Sequence, residues 1–319
     1  SIAKIEYAQQ LELQKQENKS ALVEDSLENL PDSVRAQRLQ QSFGVFGDAM
    51  VGTEDYTTLQ NDVVELRISN KGGRICYARL KEYDTYNDEP LVLFDEKESN
   101  FNFTLVTATN RVVNTSDLYF TPVKGNDPNS VIMRLNTGEG SHLDFTYTLK
   151  PDDYMVQYQI LGLNGVLAPS TNALDLLWVQ DIRQQEKGRK FEDRYVTLNY
   201  KFMADDVEHL SESKSDSKQI PNRLKWIGYK DMFFSTVLIS QEGFEATTLD
   251  SKAIPEGDVL KQFKTTASVP FDLQGKEATN LSFYFGPNKF ALLKSFDKGV
   301  SAEQQLDLEK LVPLGWGIF

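Results

Sequence analysis

The sequence predicts an all-β protein of antiparallel sheets packed face to face. Three observations carry that prediction. Apolar and polar residues alternate with period two through much of the chain after Phe43. Clusters of Gly, Pro, Asn and Asp separate the alternating runs, and no helical pattern is interleaved between them, as a parallel sheet would require. The body from about 43 to 286 therefore reads as a large β-sandwich.

Before that body the composition differs. Ser1 to Leu30 contains no Gly and no Pro and is dense in Gln, Glu, Lys, Ala and Leu, which favours helix. Ile2, Ile5, Leu13, Leu22 and Leu27 do not hold a heptad, so no coiled coil is expected. Leu30-Pro31-Asp32 breaks the helix, and Pro31 suits the first position of a second one running to Gln41. Residues 1–42 are assigned as a helical, weakly packed spacer, and 43–319 as the folded domain.

Strands follow in order. Val64, Leu66 and Ile68 alternate with Glu65 and Arg67, and Leu143, Phe145, Tyr147 and Leu149 alternate with Asp144, Thr146 and Thr148. Tyr154, Val156, Tyr158 and Ile160 oppose Met155, Gln157 and Gln159, and Leu281, Phe283 and Phe285 oppose Ser282 and Tyr284. Such runs mark strands with one wet face. Turns are expected at Lys71-Gly72-Gly73, Gly125 to Pro128, Thr137 to Gly140, Pro151 to Asp153 and Pro255 to Gly257. Glu208 to Lys218 is Ser-rich and reads as an exposed, mobile loop. After Gly286-Pro287 a short helix is expected over 287–297, with Phe290, Leu292 and Leu293 available for burial.

The closing stretch, 306–319, starts as apolar alternation at Leu306 and Leu308 and ends on Trp316, Ile318 and Phe319. Its first part reads as a last strand in the core. Trp316, Ile318 and Phe319 read as membrane-proximal, because Trp favours the membrane–water interface. The chain starts on Ser1, so an excised or processed form is expected. No run approaches the roughly 18 apolar residues of a membrane-spanning helix.

Charge excludes some functions. Against 34 Lys and Arg stand 47 Asp and Glu, a formal net of -13. A nucleic-acid partner is not expected of so acidic a chain, nor is adhesion to anionic lipid. The lone Cys76 forbids an intramolecular disulfide and reads as a buried strand residue.

No catalytic constellation emerges. His142 and His209 are the only histidines, one on the polar side of a strand beside Asp144 and one opening the Ser-rich loop. The carboxylate pairs Asp152-Asp153, Glu192-Asp193 and Asp205-Asp206 all fall in charged, loop-like contexts. No zinc spacing, calcium loop or phosphate loop is present, so no metal, cofactor or catalytic residue is assigned. The densest aromatic group is Trp226, Tyr229, Phe233 and Phe234. Trp226, Tyr229 and Phe233 are the candidate groove aromatics, with core packing the preferred reading of the group.

Three segments together resemble a known family. Asn61 to Ile75 with Ala78 to Tyr83, Lys225 to Ile239, and Phe283-Tyr-Phe-Gly-Pro-Asn288 followed by a Leu-rich helix and Leu306 to Trp316 are similar to the periplasmic domain of YidC-type membrane protein insertases. The resemblance covers about 56 to 319. It implies a β-supersandwich of the galactose mutarotase-like kind, with a short C-terminal helical region and an N-terminal tether following a first transmembrane helix. It further implies a non-catalytic periplasmic accessory of an inner-membrane insertase and chaperone of a Gram-negative cell, acting alone or with the Sec translocon. Nascent membrane proteins and auxiliary subunits of that translocon are the implied partners, and the isolated domain is expected to be a monomer. Mutarotases use histidines with a carboxylate, and neither His142 nor His209 lies in a matching motif. A carbohydrate-binding or carbohydrate-active supersandwich is the alternative.

Overall fold

The computed structural model describes residues 10–11, 14–15, 27–138 and 140–313. Trp316, Ile318 and Phe319 lie outside the described residues. Helix α1 (Asp32–Phe43) follows Pro31 and ends at Gly44, and it buries Leu39 and Phe43. A 3-10 stretch, Gly44–Met50, adds Phe46 and Met50 to the same core. This end of the N-terminal segment is thus docked on the body by apolar burial, through a helical face that carries few apolar residues.

The four-stranded sheet is a meander of β1 (Tyr56–Gln60), β2 (Val64–Ser69), β3 (Arg74–Asp84) and β4 (Pro90–Phe94). Its β2–β3 turn needs glycine. Gly73 has φ 59°, and a Cβ there would come within 2.8 Å of the Phe120 ring.

The remaining strands form one curled antiparallel system. They are β5 (Ser99–Val106), β6 (Val112–Asn114), β7 (Thr121–Lys124), β8 (Ser130–Asn136), β9 (His142–Leu149), β10 (Met155–Gly162) and β11 (Ala173–Arg183). After the short helix α2 (Arg189–Asp193) come β12 (Thr197–Phe202), β13 (Val207–His209), β14 (Asp216–Ile220), β15 (Leu224–Lys230), β16 (Phe234–Ala253), β17 (Val259–Pro270) and β18 (Thr279–Pro287). The five expected turns all join hairpins, namely β2–β3, β7–β8, β8–β9, β9–β10 and β16–β17.

Strand β16 turns one sheet into two layers. Its first half pairs with β15 and β18, and its second half pairs with β14 and β17. The kink falls at Gly243 (φ 98°) and Ala246 (φ 49°). Ser240 Oγ closes it, accepting from the Gly243 N–H at 2.9 Å and donating to its carbonyl. The chain therefore leaves one layer and enters the other without a loop.

An aromatic core fills the space between the layers. Phe101 and Phe103 from β5 meet Phe145 from β9, Tyr158 from β10 and Phe283 from β18, with ring centroids 5.5 to 6.0 Å apart. Those side chains sit at every second residue, as the alternation required.

Four expectations are corrected. The face of β18 opposite Phe283 is not wet: Tyr284 is fully buried, because Phe296 packs on it edge-on at 5.8 Å and Tyr154 flanks it. Helix α3 (Phe290–Ser295), shorter than 287–297, covers that face and buries Leu293. The Ser-rich loop carries strands β13 and β14 at its ends, and Asp216 ties it by accepting from the Ser211 N–H at 2.8 Å. The described part of the closing stretch, 306–313, holds a 3-10 turn, Leu308–Leu311, rather than a strand. Leu308 and Leu311, three apart, share its buried side, as 3-10 geometry dictates.

Candidate functional site

The three candidate groove aromatics do not share a surface. Trp226 on β15 is fully buried, and its Nε1 donates to the Leu306 carbonyl at 2.7 Å. Tyr229 on the same strand is buried too and stacks on Trp178 of β11 at 3.8 Å between centroids. Phe233, in the β15–β16 turn, is 40% exposed. Trp226 and Tyr229 belong to the core.

The histidines are equally separate. His142 Nε2 lies 3.4 Å from Asp144 Oδ2, but Arg134 already grips both oxygens of that carboxylate at 2.9 and 3.0 Å. His209 is on the edge strand β13, its Nδ1 2.6 Å from the Leu210 carbonyl. Nothing routes a proton between them.

A cleft of about 440 Å³ opens beside the four-stranded sheet, lined by residues that include Tyr56, Arg67, Tyr77, Glu96, Lys97 and Arg183. That volume lies in the range of ligand sites. Strands β2 and β3 place Arg67 and Tyr77 opposite one another, and the guanidinium sits 4.0 Å above the ring centroid. Tyr56, at the start of β1, hydrogen bonds Glu96, whose carboxylate pushes the phenol pKa up. At the inner wall Arg183 Nε donates to both Glu98 oxygens at 2.7 and 2.6 Å, and its Nη2 donates to Asp95 at 3.1 Å. Burial pushes the Glu98 carboxyl up against the pull of Arg183. Arg74 braces the β4–β5 turn by donating to Ser99 Oγ at 3.0 Å and to the Glu96 carbonyl at 3.2 Å.

Cys76 also lines the cleft, yet it is only 1% exposed. Burial pushes its thiol up to about 11, so no thiolate is offered there. The cleft thus has a stacked Arg–Tyr pair, flanking charges of both signs and no nucleophile paired with a base. This chemistry suits binding. Its residues are spread from Tyr56 to Arg183 in sequence, and no local motif marked them.

A second cluster is buried. Glu192, expected in a charged loop, has no exposed surface and accepts from the Gln185 and Glu186 N–H groups at 2.9 to 3.1 Å. Lys261, 1% exposed, donates to the carbonyls of Asp193, Val196 and Glu212 at 2.8, 2.6 and 2.7 Å. Arg189 reaches the carbonyls of Ile254, Gly257 and Val259. These bonds pin the crossover between β11 and β12.

Similarity to known proteins is extensive. A family model described as YidC periplasmic domain matches residues 56–319. The chain is 99% identical over 321 aligned residues to the membrane protein insertase YidC of Parabacteroides distasonis, covering 100% of this chain and 51% of that protein. It is 41% identical to the YidC of Bacteroides fragilis, covering 95% of this chain and 48% of the relative. The chain spans about half the length of the relatives it matches. Among solved structures, a galactose mutarotase related enzyme from Lactobacillus acidophilus superposes with a TM-score of 0.44 at 9% identity, over 72% of this chain and 97% of that one.

Proposed function

The chain belongs to the YidC periplasmic domain family, and on that premise we propose that it is the non-catalytic periplasmic accessory of an inner-membrane insertase and chaperone. Its partners in this reading are nascent membrane proteins and auxiliary subunits of the Sec translocon. Residues 1–42 act as the juxtamembrane tether, docked at its far end through Leu39, and Trp316, Ile318 and Phe319 form the membrane-proximal end. The isolated domain works as a monomer.

The cleft beside β1 supports a specific task, the transient holding of an extended client segment. Among the described residues strand β1 pairs only with β2, so between the Tyr56 N–H, which donates to Asp55, and the Gln60 carbonyl, which accepts from Asn129 at 2.8 Å, its other edge has no strand partner. An extended peptide can add to such an edge while its side chains enter a neighbouring pocket. Tyr77 and Arg67 supply an amphipathic wall, apolar on the ring and polar on the guanidinium. Mixed charges make no demand for one particular sequence, as a helper of many clients requires.

Backbone NMR of the domain titrated with unfolded peptides tests the proposal. Shifts are expected in β1, β2, β3 and the β4–β5 turn and nowhere else. Unchanged spectra at millimolar peptide would rule out the holding function.

A further inference from the structure

We propose that Asn164, in the link between β10 and β11, is a site of spontaneous deamidation, and that its conversion loosens the seat of helix α1. Asn164-Gly165 is the one Asn-Gly pair in the sequence, and no Asp-Gly pair occurs. In the folded chain both residues are exposed, in a turn closed by the Val166 N–H, which donates to the Leu163 carbonyl at 3.2 Å.

Loss of the side-chain amide to the backbone needs a carboxamide that can swing, a following N–H that is not engaged, and room for a five-membered ring. Gly165 has φ 77°, and no heavy atom lies within 4 Å of where a Cβ would stand, so the approach is open. Among the described residues no group hydrogen bonds the Asn164 carboxamide or the Gly165 N–H. Ser141 Oγ reaches only the Asn164 backbone carbonyl, at 3.4 Å. Asn129, which also precedes a small residue, Ser130, shows the opposite arrangement. Its Nδ2 donates to the Gln60 carbonyl at 2.8 Å and to the Leu149 carbonyl at 3.0 Å, so both amide hydrogens are held.

The chemistry requires only solvent. Hydroxide takes the Gly165 N–H proton, and that nitrogen forms a bond to Asn164 Cγ. The Cγ–Nδ2 bond breaks, and the nitrogen takes a proton from water and leaves as ammonia. Water then opens either carbonyl of the resulting succinimide ring, giving an aspartyl or an isoaspartyl residue at position 164. Both carry a new negative charge, and the isoaspartyl form adds a methylene to the backbone.

That extra length is passed on through backbone bonds. The Ala108 N–H donates to the Val166 carbonyl at 2.8 Å, and the Ala168 N–H donates to the Val106 carbonyl at 2.9 Å. The segment after the turn thus lies along the β5–β6 turn. From that turn Arg111 donates through Nε to the Gln41 carbonyl at 2.6 Å, in the last turn of α1. A displaced Val166 moves the turn that carries Arg111, and with it the hold on the helix.

Ageing the chain in mildly alkaline buffer, followed by peptide mass spectrometry, tests the site. The peptide that contains Asn164 should gain the amide-to-acid mass increment first, at a similar rate in the folded chain and in urea. Asn129 should convert only in urea. Asn164→Gln, whose longer side chain closes the ring far more slowly, should keep its mass under the same conditions. Hydrogen exchange at Ala108 and at the end of α1 should quicken in the aged parent and not in aged N164Q. An Asn164 peptide that keeps its mass in the folded chain yet converts in urea would overturn the site. Unchanged exchange in a fully converted sample would overturn the link to α1.

Discussion

Trp178 and Tyr229 stack across the sandwich with ring centroids 3.8 Å apart and planes 17° from parallel. One ring comes from β11 and the other from β15, so the contact joins the two layers that β16 connects by backbone. The Tyr229 hydroxyl also lies 3.0 Å from the Trp178 carbonyl and 2.7 Å from Thr265 Oγ1.

Tyr229→Phe keeps the stack and removes the hydroxyl. The Trp178 carbonyl loses that donor in the interior, so a loss of about 1–3 kcal/mol is expected in urea unfolding. Peptide affinity should not change, since Tyr229 is buried away from the cleft. A loss of binding at unchanged stability would return Tyr229 to the groove.

Lys261→Met fills the same space without an ammonium. The carbonyls of Asp193, Val196 and Glu212 then lose their donor, and Asp193 loses its cation. Losing hydrogen bonds from a charged donor costs about 1.5–3 kcal/mol, which chemical denaturation would read directly.

Cys76 should resist thiol reagents in the folded chain. Its thiol is pushed up to about 11 by burial and its surface is nearly closed, so at pH 8 labelling should track unfolding. Labelling at the rate of a free thiol in native conditions would contradict the closed β3 environment.

These residues show where the sequence was readable. The hairpin of β9 and β10 was plain, because one face packs on the core and the other meets water, so burial follows residue type. Reading failed where that rule fails. Tyr284 looked solvent-facing until α3 covered it, and Glu192 looked like a surface charge until buried hydrogen bonds accounted for it. Leu306 and Leu308 suggested a strand, yet the second buried partner of Leu308 is Leu311, a 3-10 spacing. The cleft had no local signature, since the register of β2 with β3 and the approach of Arg183 exist only in the folded chain.

Tyr77→Ala should separate binding from folding. Tyr77 is half-buried at the cleft, and its stack with Arg67 is worth about 0.5–1 kcal/mol at an exposed site. Affinity for unfolded peptides should fall by roughly threefold or more, while stability to urea drops by no more than the worth of that stack. Arg67→Ala should act in the same direction, because it removes the other half of the wall.

The claim that this cleft holds extended client segments is tested most directly inside the complete insertase. A photoreactive amino acid at Tyr77 during membrane-protein synthesis should give adducts with nascent clients, and the same probe at Lys124 on the edge strand β7 should give few. Equal adducts from both positions, or none from Tyr77, would contradict the account.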